Sequence, residues 1–334
     1  MARTIVMLHP GGFGDLLLAV PAIRALRQRF PGREVMLCAH EQTAEFLKAC
    51  GLVDRWMSVQ ASACSALFGG SMPEDAVLNE WLGRCEVAVG WTGDDDGAMA
   101  SALKQCGAAA VIVRSPFAST LASVHQSDRF LEIMGGQPDE VSMAPLSLPE
   151  QLRVEAEARL VEWGIARNRP LAIIHPGSGS RHKCVKPAIL HEVLKGLREQ
   201  GLEALILEGP ADHGMVEQLR IQGGGSLRVL QGLSLRLLAG VLSQFDVFLG
   251  HDSGVSHLAA LMGTPTVALF GPTDPARWAP RGPAVTVIRE NACGCTSWEA
   301  VRNCSAKPCL DLSPQAILAA CRSARTATVN PRIR

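Results

Sequence analysis

Ile5-Val-Met-Leu-His-Pro-Gly-Gly-Phe-Gly-Asp15, running on as Leu-Leu-Leu-Ala-Val-Pro-Ala-Ile-Arg-Ala-Leu-Arg27, sets the fold class. An apolar run of strand length enters a glycine turn and leaves as an amphipathic helix, expected as one piece of about 15 residues from Asp15 toward Arg29. The same grammar returns at Leu171-Ala-Ile-Ile-His-Pro-Gly-Ser-Gly-Ser-Arg-His-Lys183. Further apolar runs fall at Glu34–Ala39, Arg55–Val59, Glu86–Gly90 and Ala109–Val113, then at Glu203–Leu207, Leu227–Leu230, Asp246–Leu249 and Thr266–Phe270. Near-continuous apolar strands alternating with helices signal parallel sheets covered on both faces, an α/β fold. A Pro-bearing stretch (Pro138, Pro145, Pro149) separates the two runs. The expected organisation is therefore a Rossmann-like domain over 1–150 and a second over 151–312. A C-terminal helix and tail over 313–334 would then be free to cross back to the first. Ligands of such sheets bind beyond the strand C-terminal ends.

Composition narrows the function. The chain has 334 residues, 47% hydrophobic and 19% charged, with 32 Gly and 20 Pro, which excludes disorder, collagen and coiled coil. Basic and acidic residues balance at 32 each, giving no case for nucleic acid or an anionic membrane surface. The balance hides a split: 11 basic and 17 acidic residues over 1–150, against 21 and 15 over 151–334. Eleven cysteines, an odd number, read as reduced thiols in a cytosol. Leu16 to Val20 is apolar, but His9-Pro10-Gly11-Gly12 and Asp15 interrupt any signal-peptide core. The longest stretch without Asp, Glu, Lys or Arg, Ser253–Thr273, carries three glycines and two prolines and is no lipid-exposed span. A soluble protein with at most peripheral membrane contact is expected.

Three loops carry the chemistry. In His9–Asp15, Gly12 and Gly14 allow a sharp turn and leave amides free for a substrate oxygen. The loop is neither a phosphate-binding Gly-Lys-Ser/Thr nor G-x-G-x-x-G. Asp15 stands at the helix mouth as a candidate base, with helix capping as its simpler role. In His175–Lys183, Ser178, Ser180 and Lys183 offer small side chains, amides and charge suited to a diphosphate. Of six lysines in the chain, two (Lys183, Lys186) sit here. In Gly250–His257, Asp252, Ser253 and Gly254 open a helix and His257 lies one turn inside it. A hydrolytic triad of Asp252, Ser253 and His257 is the lesser reading, because no G-x-S-x-G elbow is present.

Taken together, Ile5–Arg27, His175–Ser180 and Asp252-Ser-Gly-Val-Ser-His-Leu-Ala-Ala-Leu-Met-Gly-Thr-Pro-Thr-Val-Ala-Leu-Phe-Gly-Pro-Thr-Asp-Pro275 resemble glycosyltransferase family 9, the ADP-heptose:lipopolysaccharide heptosyltransferases and their relatives. The resemblance implies the GT-B architecture, with the acceptor on the first domain, the nucleotide-sugar on the second, and inverting chemistry without a metal or other cofactor. It implies Asp15 as general base. Ser178, Ser180 and Lys183 would hold the diphosphate, and Asp252, Ser253, Gly254 and His257 would line the donor site. The acidic ribose contact after Gly209-Pro210 falls on Asp212, or on Glu208. Val185-Lys186 stands where the family has Trp-Pro, with Pro187 one position late. The implied donor is ADP-heptose. The implied acceptor is a saccharide or glycolipid such as lipopolysaccharide core, handled in the cytoplasm or at the inner face of the inner membrane. A non-catalytic nucleotide-sugar-binding protein, or a transferase with another donor or a protein acceptor, are the alternatives.

Other features take bland readings. Asp94-Asp-Asp96 is expected to start a helix rather than bind a metal. Cys293, Cys295, Cys304 and Cys309 form a cluster whose spacing departs from common zinc patterns, so reduced thiols are preferred to a structural metal. The strand-end histidines His9, His175 and His251 are expected to be packing or hydrogen-bonding groups. Trp278 is expected to wall the donor site, and Arg114 and Arg129 to offer local positive charge to an anionic acceptor.

Overall fold

The computed structural model describes residues 3–117, 124–137, 143–165, 168–223 and 227–327; Pro138 and the tail beyond 327 lie outside them. The chain divides into two units, Met1–Ser142 and Met143–Arg334.

In the first unit, β1 (Thr4–Leu8), β2 (Glu34–Ala39), β3 (Arg55–Ser58), β4 (Cys85–Gly90) and β5 (Ala110–Val113) form an all-parallel sheet in the order β3-β2-β1-β4-β5. β1 is buried along its whole length, which explains why its residues are apolar without alternation. Its single polar member, Thr4, satisfies its hydroxyl on the Trp81 carbonyl at 2.7 Å. One face of the sheet packs Val6, Leu8, Met36 and Ala88 against Leu67, Trp81 and Leu103. The expected single helix after β1 is two, Phe13–Leu18 and Val20–Arg29, hinged at Ala19. Pro21, with no N–H and a ring that crowds the preceding turn, breaks the ladder there.

In the second unit, β6 (Leu171–His175), β7 (Glu203–Glu208), β8 (Val229–Gln231), β9 (Val247–His251), β10 (Thr266–Leu269) and β11 (Val285–Ile288) form a parallel sheet ordered β11-β10-β9-β6-β7-β8. Strand β11 was not expected. It is an edge strand whose four residues are all half-buried, so it lacks the dense apolar signal of the centre. The unit begins at Met143 rather than 151 because Leu146 and Leu148 are buried. Leu146 also donates its N–H to the Leu261 carbonyl at 2.7 Å. The helix Glu150–Glu162 packs on Leu235–Leu242, where a Cβ on Gly240 would stand 2.8 Å from the Leu152 carbonyl oxygen. The terminal helix Pro314–Ala327 lies against Pro187–Glu199 and β9, β10 and β11 of this same unit. Ile317 and Cys321 enter its core.

Strand order reverses between β1 and β4 in one sheet and between β6 and β9 in the other. Such switch points open a crevice at the strand C-terminal ends. Both glycine loops emerge there. Among the described residues no helix is long and apolar enough to cross a membrane, and all eleven cysteines are free thiols.

Candidate functional site

Three loops of the second unit converge at its switch point. Ser178, from the loop after β6, donates its hydroxyl to the Asp252 carbonyl at 2.6 Å, and Lys183 Nζ lies 2.8 Å from Asp252 Oδ2. Asp252 is buried and Lys183 mostly so, so this ion pair ties the β6 loop to the β9 loop in a low-dielectric setting. Ser180 turns inward on its own chain, its hydroxyl accepting from the His182 N–H at 3.3 Å. Ser253 caps the helix Gly254–Leu261 by accepting from the Ser256 N–H. His257 is buried in the first turn of that helix, and Gly254 is its first residue.

Two of the strand-end histidines expected to pack or hydrogen-bond are hydrogen-bonding hubs. His175 closes β6, and its Nε2 lies 2.9 Å from Asp212 Oδ2, while Ser253 Oγ is 3.5 Å from Nδ1. The ionised Asp212 can only accept, so His175 donates at Nε2, and Ser253, His175 and Asp212 form one chain. Asp212 Oδ2 also accepts from the Gly209 N–H at 2.8 Å. Burial opposes the charge on Asp212, but the bonds from His175 and Gly209 prevail and hold its pKa below the ordinary carboxylate value. Gly177 is obligatory here: a Cβ at that position would stand 1.6 Å from Asp212 Oδ1.

His251 closes β9. The Val185 N–H donates to its Nε2 at 3.0 Å, which leaves the proton on Nδ1, 3.3 Å from the Gly177 carbonyl. Burial, aided by neighbouring His175, lowers its pKa to about 4, so it is neutral. Strand-end position was the signal available in sequence. The partners 37 to 78 residues away were not.

The first unit places its glycine loop at the β1/β4 switch point. Gly12 caps the helix Phe13–Leu18 without a side-chain bond, Gly14 lies in its first turn, and Asp15 stands half-buried in that turn. A Cβ on Gly11 would meet His9 Cε1 at 2.7 Å and Asp15 Oδ2 at 3.4 Å, so ring, glycine and carboxylate are stacked closely. His9 is 1% exposed, packed between Trp91 (centroids 6.0 Å) and Phe130 (5.6 Å). Among the described residues Trp91 Nε1 has no hydrogen-bond partner, and the His9 ring nitrogens find at most poorly aligned contacts with the backbone of His9 itself and of Gly11. Burial drives the His9 pKa to about 4.

The remaining expectations resolve locally. Asp94 accepts from the Met99 and Ala100 N–H groups, both at 3.0 Å, and Asp96 from Ala98 at 3.1 Å, so this acidic run starts the helix Ala98–Gln105. Arg129 is buried and paired with Glu132 at 3.1 Å, so it offers no surface charge. Arg277 stacks over Trp278, 4.9 Å from the ring centroid. Cys309 sits in the second core with Cys293 against it. Proximity to Cys293, then burial, pushes the Cys295 thiol up to about 11. Among the described residues no group of three or more His, Cys, Asp or Glu is arranged to hold a metal ion, while the Cys295 thiol has those of Cys293 and Cys304 beside it and the Cys309 thiol has that of Cys293.

A family model described as glycosyltransferase family 9 (heptosyltransferase) matches residues 121–309. The chain is similar to lipopolysaccharide heptosyltransferase 3 of Escherichia coli K12, 20% identical over 287 residues, covering 80% of this chain and 82% of that one. Among solved structures, the glycosyl transferase family 9 protein of Veillonella parvula superposes with TM-score 0.80 at 19% identity, covering 98% of each chain. The E. coli ADP-heptose lps heptosyltransferase II superposes with TM-score 0.74 at 17% identity, covering 97% of this chain and 99% of that one. With two parallel-sheet units of Rossmann type and matched loops, the chain belongs to glycosyltransferase family 9, the heptosyltransferases, and is a glycosyltransferase enzyme of the GT-B fold.

Proposed function

We propose that this enzyme transfers a heptose from ADP-heptose to a saccharide acceptor of lipopolysaccharide-core type, with inversion and without a metal. The observation that carries the reading is the convergence of Ser178, Lys183, Asp252 and Ser253 from the β6 and β9 loops at one switch point. Loop amides, a lysine and a helix N-terminus there suit a departing diphosphate. The donor, ADP-heptose, and the acceptor, lipopolysaccharide, are those by which the E. coli relatives are named.

In this mechanism the first unit binds the acceptor and the second the donor. Asp15 takes the proton of the acceptor hydroxyl, a contribution of about 10²–10⁴-fold. The oxygen attacks the anomeric carbon and the sugar–phosphate bond breaks, with ADP leaving. A single displacement needs no covalent sugar intermediate. Asp212, whose Oδ2 is already held by His175 and Gly209, serves the donor site by fixing His175 beneath the loop. Glu208, 3.0 Å from His213 Nδ1, is the other acidic group at the end of β7. Gly12 and Gly14 let the acceptor approach the backbone.

A turnover panel of ADP-, UDP- and GDP-linked heptose with defined core acceptors tests the assignment. Transfer from ADP-heptose alone is expected. Preference for UDP overturns the donor, and binding of ADP-heptose without transfer to any acceptor favours the non-catalytic alternative.

A further inference from the structure

On the other side of the Arg181–Lys183 turn lies an open basin of about 460 Å³ whose lining is strongly cationic. Arg181, His182 and Lys186 come from the β6 loop, and Arg302 and Lys307 from the segment after β11. None of Ser178, Lys183, Asp252 or Ser253 lines it. The positive excess of the second half of the sequence is thus partly concentrated at one place.

The basin is built rather than incidental. Lys307 is the non-glycine residue with positive φ among the described residues, at 43°, a backbone state that costs free energy for a lysine and marks functional segments. Its Nζ is held 2.8 Å from His182 Nδ1, so a lysine donates to a neutral imidazole instead of to a carboxylate. Partial burial, with the charges of Lys307, Arg181 and Arg302, lowers the His182 pKa and keeps the ring an acceptor. Among the described residues no carboxylate lies within ion-pair distance of Arg181, Arg302 or Lys307. Lys186 has only Asp311, at 3.9 Å and well exposed. The first residue of the 13-residue helix Pro187–Glu199 also faces the basin, adding the positive end of its dipole. Four permanent cations gathered around one cavity repel one another unless an anion of high charge density joins them.

We propose that this basin is a second anion site that binds a phosphomonoester, sharing Arg181 and His182 with the β6 loop but distinct from the diphosphate position at Ser178, Lys183, Asp252 and Ser253. A dianion with three oxygens matches two guanidinium forks and two ammonium groups better than a singly charged phosphodiester does. The cavity is large enough for a phosphate carried on a sugar-sized body. The proposal rests on the second unit alone and does not depend on Asp15.

The test uses the full-length enzyme saturated with ADP, so that the donor site is filled. Inorganic phosphate is titrated at constant ionic strength with melting temperature as readout, and with glucose 6-phosphate as competitor. Added stabilisation saturating at about millimolar phosphate is expected. The double variant Arg302→Gln, Lys307→Asn should weaken phosphate roughly fivefold or more and keep ADP affinity within about twofold; asparagine tolerates the positive φ, so folding is preserved. No stabilisation beyond chloride, or an unchanged phosphate response in the variant, overturns the site. Parallel loss of ADP affinity makes the basin part of the donor site and overturns its separateness. Binding to phosphatidylglycerol vesicles without competition by glucose 6-phosphate overturns the monoester assignment.

Discussion

His9 and His175 occupy equivalent places: each follows or closes the first strand of its sheet, and each precedes Pro-Gly. Their surroundings differ completely. His175 is joined to Asp212 and Ser253 and so stitches loops from three strands together. His9 is packed by Trp91 and Phe130, with no side-chain partner and only backbone of its own loop near its nitrogens. The difference arises where the chain leaves the second strand of each sheet. Beyond β7 an aspartate turns back under the glycine loop; beyond β2 the chain enters the helix Glu41–Ala49 directly. One histidine organises a polar site, and the other acts as an aromatic wedge beneath Asp15.

That contrast can be broken by mutation. Asp212→Ala removes the acceptor that both His175 and Gly209 use, leaving buried donors stranded, and should cost about 3 kcal/mol, read as a lowered melting temperature. Full stability in Asp212→Ala would show that the network is decorative. Gly177→Ala should come next at about 2 kcal/mol, because the new Cβ collides with the Asp212 carboxylate. Gly11→Ala presses only on the edge of the His9 ring, and about 1 kcal/mol is expected. An inverted order would contradict the account of the two loops. The smallest effect is His9→Phe, within about 1 kcal/mol at neutral pH, since an apolar ring replaces polar atoms whose only contacts are poorly aligned ones with nearby backbone.

The same variant sharpens the comparison on a pH axis. His9 and His251 have pKa values lowered from 6.5 to about 4. Unfolded chains take up the proton first, so the stability tied to these groups is complete above pH 6.5 and declines as pH falls toward 4. His9→Phe should therefore show a shallower acid decline than the wild type in melting temperature against pH. An identical decline would mean that His9 is protonated in the folded state.

The central strands were legible because burial on both faces demands unbroken apolar runs, as in Ile5–Leu8 and Leu171–Ile174. The loops were legible because glycines and small hydroxyls at strand ends have few other uses. Edge strand β11 was missed because half-burial dilutes the pattern. The hinge at Ala19 was written in Pro21, but a strong helical period on both sides masked it. His175 and His251 could be placed only as packing or hydrogen-bonding groups, outside the site, because their partners Asp212, Ser253 and Val185 arrive from distant segments. No local pattern carries a tertiary hydrogen bond.

The central claim divides labour between the units: donor diphosphate on the second, base on the first. Calorimetric ADP affinity, measured together with turnover for Lys183→Ala and Asp15→Ala, tests it directly. Lys183→Ala should weaken ADP about tenfold. Asp15→Ala should leave ADP affinity within about twofold while turnover falls roughly 10²–10⁴-fold. Parallel loss of ADP affinity and turnover in Asp15→Ala, or unchanged ADP affinity in Lys183→Ala, would contradict the account.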